Sequence, residues 1–203
     1  KEKDRLYRTV NKLKKVQRQS GCVKAPRYWR RINGLQRHIV NHTASEIVKF
    51  AREHGADVIV FEYLGHMKMP KGFNGAKRLR FKLHYWRKQA IQRRVEEMAR
   101  CVGLRVSRVN AKNTSKLAFD GTGEVERNGK KDLCRFPTGK VYHADLNATY
   151  NIGARYFLRE YRKSIPEREW LSAKAKVPSL ALRTRQTLAS LISFYQAMRR
   201  LGA

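Results

Sequence analysis

The sequence predicts an α/β fold with helices packed on a sheet, and three observations carry that prediction. Stretches with apolar residues at helical spacing alternate with two short runs, "ADVIVFEYLG" and "LRVSRVN", that read as strands. Two of the helical stretches close on a glycine, Gly55 and Gly103, just before a strand begins. A hydrophobic content of 41% over 203 residues argues against wholesale disorder and suffices for one substantial domain with a small insert.

Taken in order, residues 1–19 place Leu6, Val10, Leu13 and Val16 at helical spacing. A loop with Gly21 and Pro26 follows, then a second helix from "YWRRINGLQ" to Gly55. The β-branched run Val58, Ile59 and Val60, continued by Phe61, is short, apolar and bounded by glycines, as a buried strand should be. Residues 65–80 form a Gly/Pro/Lys-rich loop, read as a basic lid near Glu62 or a solvated connection. "FKLHYWRKQAIQRRVEEMARCVG" is a third helix, and "LRVSRVN" alternates as a strand does. From Ala111 to Lys140 the texture turns to Gly, Thr, Asn and Lys, with turn signals at Asp120-Gly121 and Asn128-Gly129. This reads as a β-hairpin insert. The next helix carries Leu146, Tyr150, Gly153, Phe157 and Tyr161 on one stripe, taken as its buried face, and more helix, broken near Pro178, follows. The division expected is a core over 1–110, an insert over 111–141 and a closing helical segment over 142–203.

Charge bounds the function. Lys and Arg total 46 against 16 acids, a formal charge of +30, and the excess is spread along the chain. A field of that sign concentrates polyanions, above all nucleic acid. Three scattered cysteines give no disulfide framework and fit a reducing compartment. No apolar run reaches the length of a membrane span and no leader is read, so the expectation is a cytoplasmic, nucleoid-associated bacterial or archaeal protein without a membrane partner. A start on Lys, directly in a helix, reads as a fragment or a processed chain.

Two acids stand apart in this basic chain. Glu62 lies within the apolar run "VIVFEYL", where a carboxylate is costly unless paired or bound to a cation. Asp145 opens "ADLNATYNIGARY" at the mouth of a helix, as an N-cap, a metal ligand or both. Among the cations, Arg30 and Arg31 in "YWRR" and Arg87 in "YWRK" sit beside aromatics that either stack bases or fill the core. Lys68, Lys71 and Lys116 lie on basic loop stretches, and Arg155, ten residues past Asp145, is a candidate for the scissile phosphate.

The strand ending in Glu62, followed by "LRVSRVN", "NTS" and then "YHADLNATYNIGARY", resembles the RuvC-like, RNase H-like nuclease core of the TnpB family. These are transposon-encoded, RNA-guided nucleases related to type V CRISPR effectors. The resemblance covers about residues 1–160. It implies that Glu62, in an "hhhE" context, and Asp145, in "ADhNAAxNI", are catalytic Mg²⁺ ligands, with DNA as substrate and a guide RNA as partner. It also implies a first catalytic Asp on a "GIDhG" strand, for which nothing here substitutes. The expected activity is that of the C-terminal part of a two-metal DNA endonuclease, inactive alone. The alternatives are a cleavage-deficient nucleic-acid-binding relative and a ribosome-associated basic protein. Many relatives carry a zinc finger of two Cys-x-x-Cys pairs between "TS" and "ADhNA". Here the first pair's positions fall around Ala118 and Gly121, and the second keeps Cys134 with Pro137 in place of its partner. One thiol cannot hold a tetrahedral zinc, so the insert is expected to bind none and to be held by Leu117, Phe119, Leu133 and Phe136.

Overall fold

The computed structural model describes residues 2–21, 23–63, 87–129 and 132–200. Among the described residues the chain is mixed α/β with two small sheets, and it divides into two compact units, 1–59 with 66–106 and 60–65 with 107–203. Two strands, β1 (Val58–Tyr63) and β2 (Arg105–Asn110), pair with each other and pass from the first unit into the second. The 65–80 loop, and with it Lys68 and Lys71, lies outside the described residues, as do Tyr85 and Trp86.

The described part of the first unit is mainly helical. Helix α1 (Glu2–Ser20) buries Leu6, Val10 and Leu13, three of the positions its spacing predicts, against Ile32 of α2 (Pro26–Glu53). Tyr28, Leu35 and Ile39 of α2 pack on the same cluster, so the aromatic of the first "YWRR" pair is core, while Trp29 is 40% exposed. Proline opens α2 where its missing N–H costs nothing. At the far end Gly55 takes φ +62°, a left-handed turn that glycine adopts without a Cβ penalty. Farther along, α2 packs on α3 (Lys88–Cys101), with Ala44, Val48, Ala51, Val95 and Ala99 buried.

In the second unit the insert is a three-stranded antiparallel sheet rather than a single hairpin. Its strands are β3 (Glu126–Arg127), β4 (Leu133–Arg135) and β5 (Val141–His143), in that order, with Cys134 opposite both Arg127 and Tyr142. Strand β5 runs directly into α4 (Ala144–Ser164). Then come α5 (Glu167–Lys176), two short 3₁₀ turns over Pro178–Ala181 and Arg183–Arg185, and α6 (Leu188–Arg199). Thr187 and Ser190 close a capping box at the start of α6. Ala154, Leu158, Trp170, Ala173, Leu180 and Phe194 form the core that joins these helices.

Most of the apolar stripe is not the buried face of α4, although Tyr161, half-buried, packs on the core that joins these helices. Leu146, Tyr150 and Phe157 are exposed, and the face turned inward carries Asn147, Asn151, Ala154, Arg155 and Leu158. Polar residues win that face because it meets backbone carbonyls and N–H groups of irregular chain, which an apolar side chain would leave unsatisfied.

Candidate functional site

Glu62 is the penultimate residue of β1 and is half-buried, as are the four strand residues before it. The strand is thus less deeply buried than its apolar run predicts. Thr114, itself buried, places its hydroxyl 3.2 Å from Glu62 Oε1 and 3.0 Å from the Ala111 carbonyl. Its single proton is shared between them, so one carboxylate oxygen of Glu62 is oriented from the "NTS" turn.

The Glu62 carboxylate stands close enough for its charge to act on the Arg155 guanidinium. Burial pushes the Arg155 guanidinium down to about 10, against the opposing pull of the Glu62 carboxylate, so it remains cationic at neutral pH. The expectation that Arg155 reaches a scissile phosphate is corrected by its bonding. It is 4% exposed, and its donors go to backbone carbonyls: Nε to Gln186, Nη1 to Asn110 and Lys112, Nη2 to Thr184, at 2.7–3.1 Å. Arg155 is a clamp tying the end of β2 and the second 3₁₀ turn to α4.

The two asparagines of "ADLNATYNI" play the same part for the insert. Asn147 accepts from the Phe119 N–H at 2.9 Å and donates to the Leu117 carbonyl at 2.9 Å. Asn151 donates to the Thr114 and Leu117 carbonyls and accepts from the Leu188 N–H. Both are fully buried. The signal for this was present in the sequence: Asn147, Asn151 and Arg155 recur every four residues, the spacing of one helix face.

Asp145 differs from them. The N-cap is His143, whose Nδ1 accepts from the Asp145 N–H at 3.3 Å, so the capping role expected of Asp145 belongs to its neighbour. Asp145 is exposed in the first turn, where the positive end of the helix dipole favours a carboxylate. It stands six residues before Asn151, about 9 Å along the helix axis. The structure therefore brings Glu62 together with Thr114 and Arg155, and it sets Asp145 farther toward the start of the same helix. Among the described residues no cluster of three or more His, Cys, Asp and Glu is placed to hold a metal ion. Carboxylate oxygens such as those of Glu62 and Asp145 are hard donors of the kind Mg²⁺ takes.

Of the other candidates, Arg30 and Arg31 are exposed on α2, and Lys116 is exposed in the insert. Arg87 is exposed as well and donates to the buried Gln36 Oε1 through Nε and Nη2, at 3.2 and 2.8 Å.

The chain is similar to the TnpB-like protein aq_aa05 of Aquifex aeolicus (strain VF5), with 35% identity over 153 residues. The chain belongs to the TnpB family. The match takes in 68% of this chain and 48% of the relative, so the chain spans about half the length of the curated relative it matches. No family model matches it.

In this TnpB-family chain the insert is built on apolar packing. Ala118, Cys134, Phe136 and Ala144 form its buried cluster, with Phe119, Val125 and Tyr142 against it. Lys140 Nζ lies 5.0 Å from the Phe119 ring centroid and 5.3 Å from that of Tyr142. Phe119 and Phe136 thus hold the insert as expected. Leu133 does not, because the pleat that turns Cys134 inward leaves it 41% exposed. Gly121 has φ +82°, and a Cβ there would meet Ala189 Cβ at 3.0 Å, so a cysteine at this place would force a shift. The Cys134 Sγ faces the Tyr142 carbonyl at 3.4 Å, and burial pushes its thiol up. Protein purified without chelator is expected to carry far less than one zinc per chain by elemental analysis. Cys134 should resist alkylation until the chain unfolds. Stoichiometric zinc, or prompt alkylation of Cys134, contradicts this packing.

No described helix is long and apolar enough to cross a membrane.

Proposed function

We propose that the chain is the C-terminal part of an RNA-guided, Mg²⁺-dependent DNA endonuclease of the TnpB and type V CRISPR effector kind, built on an RNase H-like (RuvC-type) core. The observation that carries this reading is the separation of roles within "ADLNATYNI". Asn147 and Asn151 are consumed in holding the insert, and His143 caps the helix. Asp145 is left exposed at the positive end of α4, free of the capping role, where the helix dipole favours a carboxylate.

Glu62 and Asp145 would hold the metal, and a third carboxylate would come from a segment upstream of these residues. Bound there, Mg²⁺ supplies charge stabilisation at the phosphate and a water activated for attack on phosphorus. The chain's own residues do the positioning. Thr114 orients one oxygen of Glu62, and Arg155 holds the β2 end against α4 while keeping a positive charge beside that carboxylate. The exposed cations Arg30, Arg31, Arg87 and Lys116, with those of α1 such as Arg8 and Lys12, would meet phosphates of DNA and guide RNA. A cytoplasmic, nucleoid-associated location follows from those partners.

The 203-residue chain should bind duplex DNA and cut it poorly or not at all, whereas a longer polypeptide that adds the upstream acid should cut in Mg²⁺ with its guide. Cutting by the longer form tests the reading. A longer form that binds but never cuts leaves the cleavage-deficient binding protein as the function.

Affinity should also be strongly salt-dependent. Each phosphate contact on duplex DNA releases about 0.9 counterion, so about 6–10 contacts cost about 10³–10⁵ in affinity between 50 and 200 mM salt. Affinity that stays flat across that range in a fluorescence-anisotropy titration would contradict phosphate contacts as its source.

A further inference from the structure

A cavity of about 360 Å³ opens in the second unit, lined by Tyr63 at the end of β1, by Trp170 and Leu171 of α5 and by Leu180 of the first 3₁₀ turn. Its wall carries six cationic side chains, Arg108, Arg155, Arg159, Arg162, Lys174 and Arg183, against one acid, Glu167. Their roles differ. Arg155 is consumed by backbone carbonyls, as described above. Arg159 donates to the Arg108 carbonyl, the Ser107 hydroxyl and the Glu160 carboxylate. Arg162 lies over the Trp170 ring, 5.7 Å from its centroid. Lys174 and Arg183 are exposed where they line the cavity, and no structural bond described for this unit engages their side chains. Cations crowded around a concave, partly apolar site repel one another, and an anion relieves that repulsion.

Size and ring exposure narrow the class of anion. The volume lies near the lower end of the range for small-molecule sites, about 300–1,000 Å³, which suits one nucleotide rather than a longer stretch. Trp170 is 4% exposed and can offer little more than an edge, whereas Tyr63 is 52% exposed and is the aromatic of this wall that a base can reach. Tyr63 also directly follows Glu62, and successive strand residues point to opposite faces. The cavity and the Glu62 carboxylate are therefore served by the same strand end from its two sides.

We infer that this cavity binds a single nucleotide unit, with its phosphate on Lys174 and Arg183 and its base against Tyr63. The inference rests on the proposed function only in that the chain handles nucleic acid, and its test needs no cleavage. The test is isothermal titration of the 203-residue chain with AMP, dAMP and inorganic phosphate at fixed salt. Both nucleotides should bind saturably at one site, or one of them should, and the tighter names RNA or DNA as the source. Phosphate alone should bind at least about tenfold more weakly. The Lys174→Gln/Arg183→Gln double variant should weaken nucleotide binding at least about tenfold, the scale of losing charge-assisted hydrogen bonds. Tyr63→Leu should weaken AMP and leave phosphate unchanged. Lys49→Gln/Arg52→Gln removes the same charge from α2 and should change binding less than twofold. All three variants alter exposed side chains, so folding is checked by thermal melts. Absence of saturable binding, or equal losses from the two charge-removing pairs, overturns the inference. A failure to cut DNA leaves this titration unaffected, and failure of the titration leaves cutting unaffected.

Discussion

Glu62→Gln and Asp145→Asn should each lower Mg²⁺-dependent cutting by the longer, cutting-competent polypeptide at least about a thousandfold while leaving DNA affinity within about threefold. A thousandfold is about 4 kcal/mol of transition-state stabilisation, the scale expected when a metal that neutralises developing charge loses a ligand. Both changes keep the shape of the side chain. The amide that replaces the Glu62 carboxylate would still offer an oxygen to the Thr114 hydroxyl. Neutralising Asp145 would forfeit only the dipole interaction of a first-turn acid, about 0.3–1 kcal/mol. The fold should therefore survive. Affinity should persist because it rests on cations meeting phosphates, and removing a nearby negative charge does not weaken those contacts. Single-turnover cleavage and anisotropy on the same preparations separate the two effects. Full cutting by the doubly neutralised protein would refute the site.

Arg155→Met should cost about 3–5 kcal/mol of stability, the largest effect expected of any single substitution in the second unit. The buried guanidinium serves the carbonyls of Asn110, Lys112, Thr184 and Gln186. Methionine fills much of the volume, so packing is largely kept. What is lost is a set of donors for which no water can easily substitute at 4% exposure. Several buried carbonyls left without a donor, at about 1–3 kcal/mol for each unsatisfied group before the site relaxes, reach that range. Arg155→Lys should recover little, because a single ammonium cannot span donors directed to four carbonyls. Urea denaturation monitored by far-ultraviolet circular dichroism checks both variants. A cost for Arg155→Met below about 1 kcal/mol, the net worth of one ordinary hydrogen bond, would show that these bonds contribute little.

Reading the sequence succeeded where a residue's neighbours along the chain determine its place. Leu6, Val10 and Leu13 are buried because their spacing makes one helix face, and Gly55 ends α2 because its φ suits a left-handed turn. Glu62 could be singled out because an acid in an apolar run needs a partner. The reading failed where distant segments decide. On α4 the apolar stripe of Leu146, Tyr150 and Phe157 faces outward, since the inner face meets backbone groups of the insert and the second 3₁₀ turn. Only those groups make asparagine and arginine the better inward residues, and they lie 28–45 positions away in sequence. The insert shows the same limit, because Leu133 and Cys134 are neighbours and the pairing of β4 with β3 and β5 settles which one turns inward.

The central claim is that Glu62 and Asp145 share one metal ion, and Mn²⁺ binding to the 203-residue chain, followed by electron paramagnetic resonance, tests it most directly. The parent should bind one weakly held Mn²⁺ that Mg²⁺ displaces. Glu62→Gln, Asp145→Asn and the double variant should all lose it to a similar extent, because ligands of one ion fail together rather than additively. Losses that add as independent sites do, or Mn²⁺ retained in full by the double variant, would contradict the account.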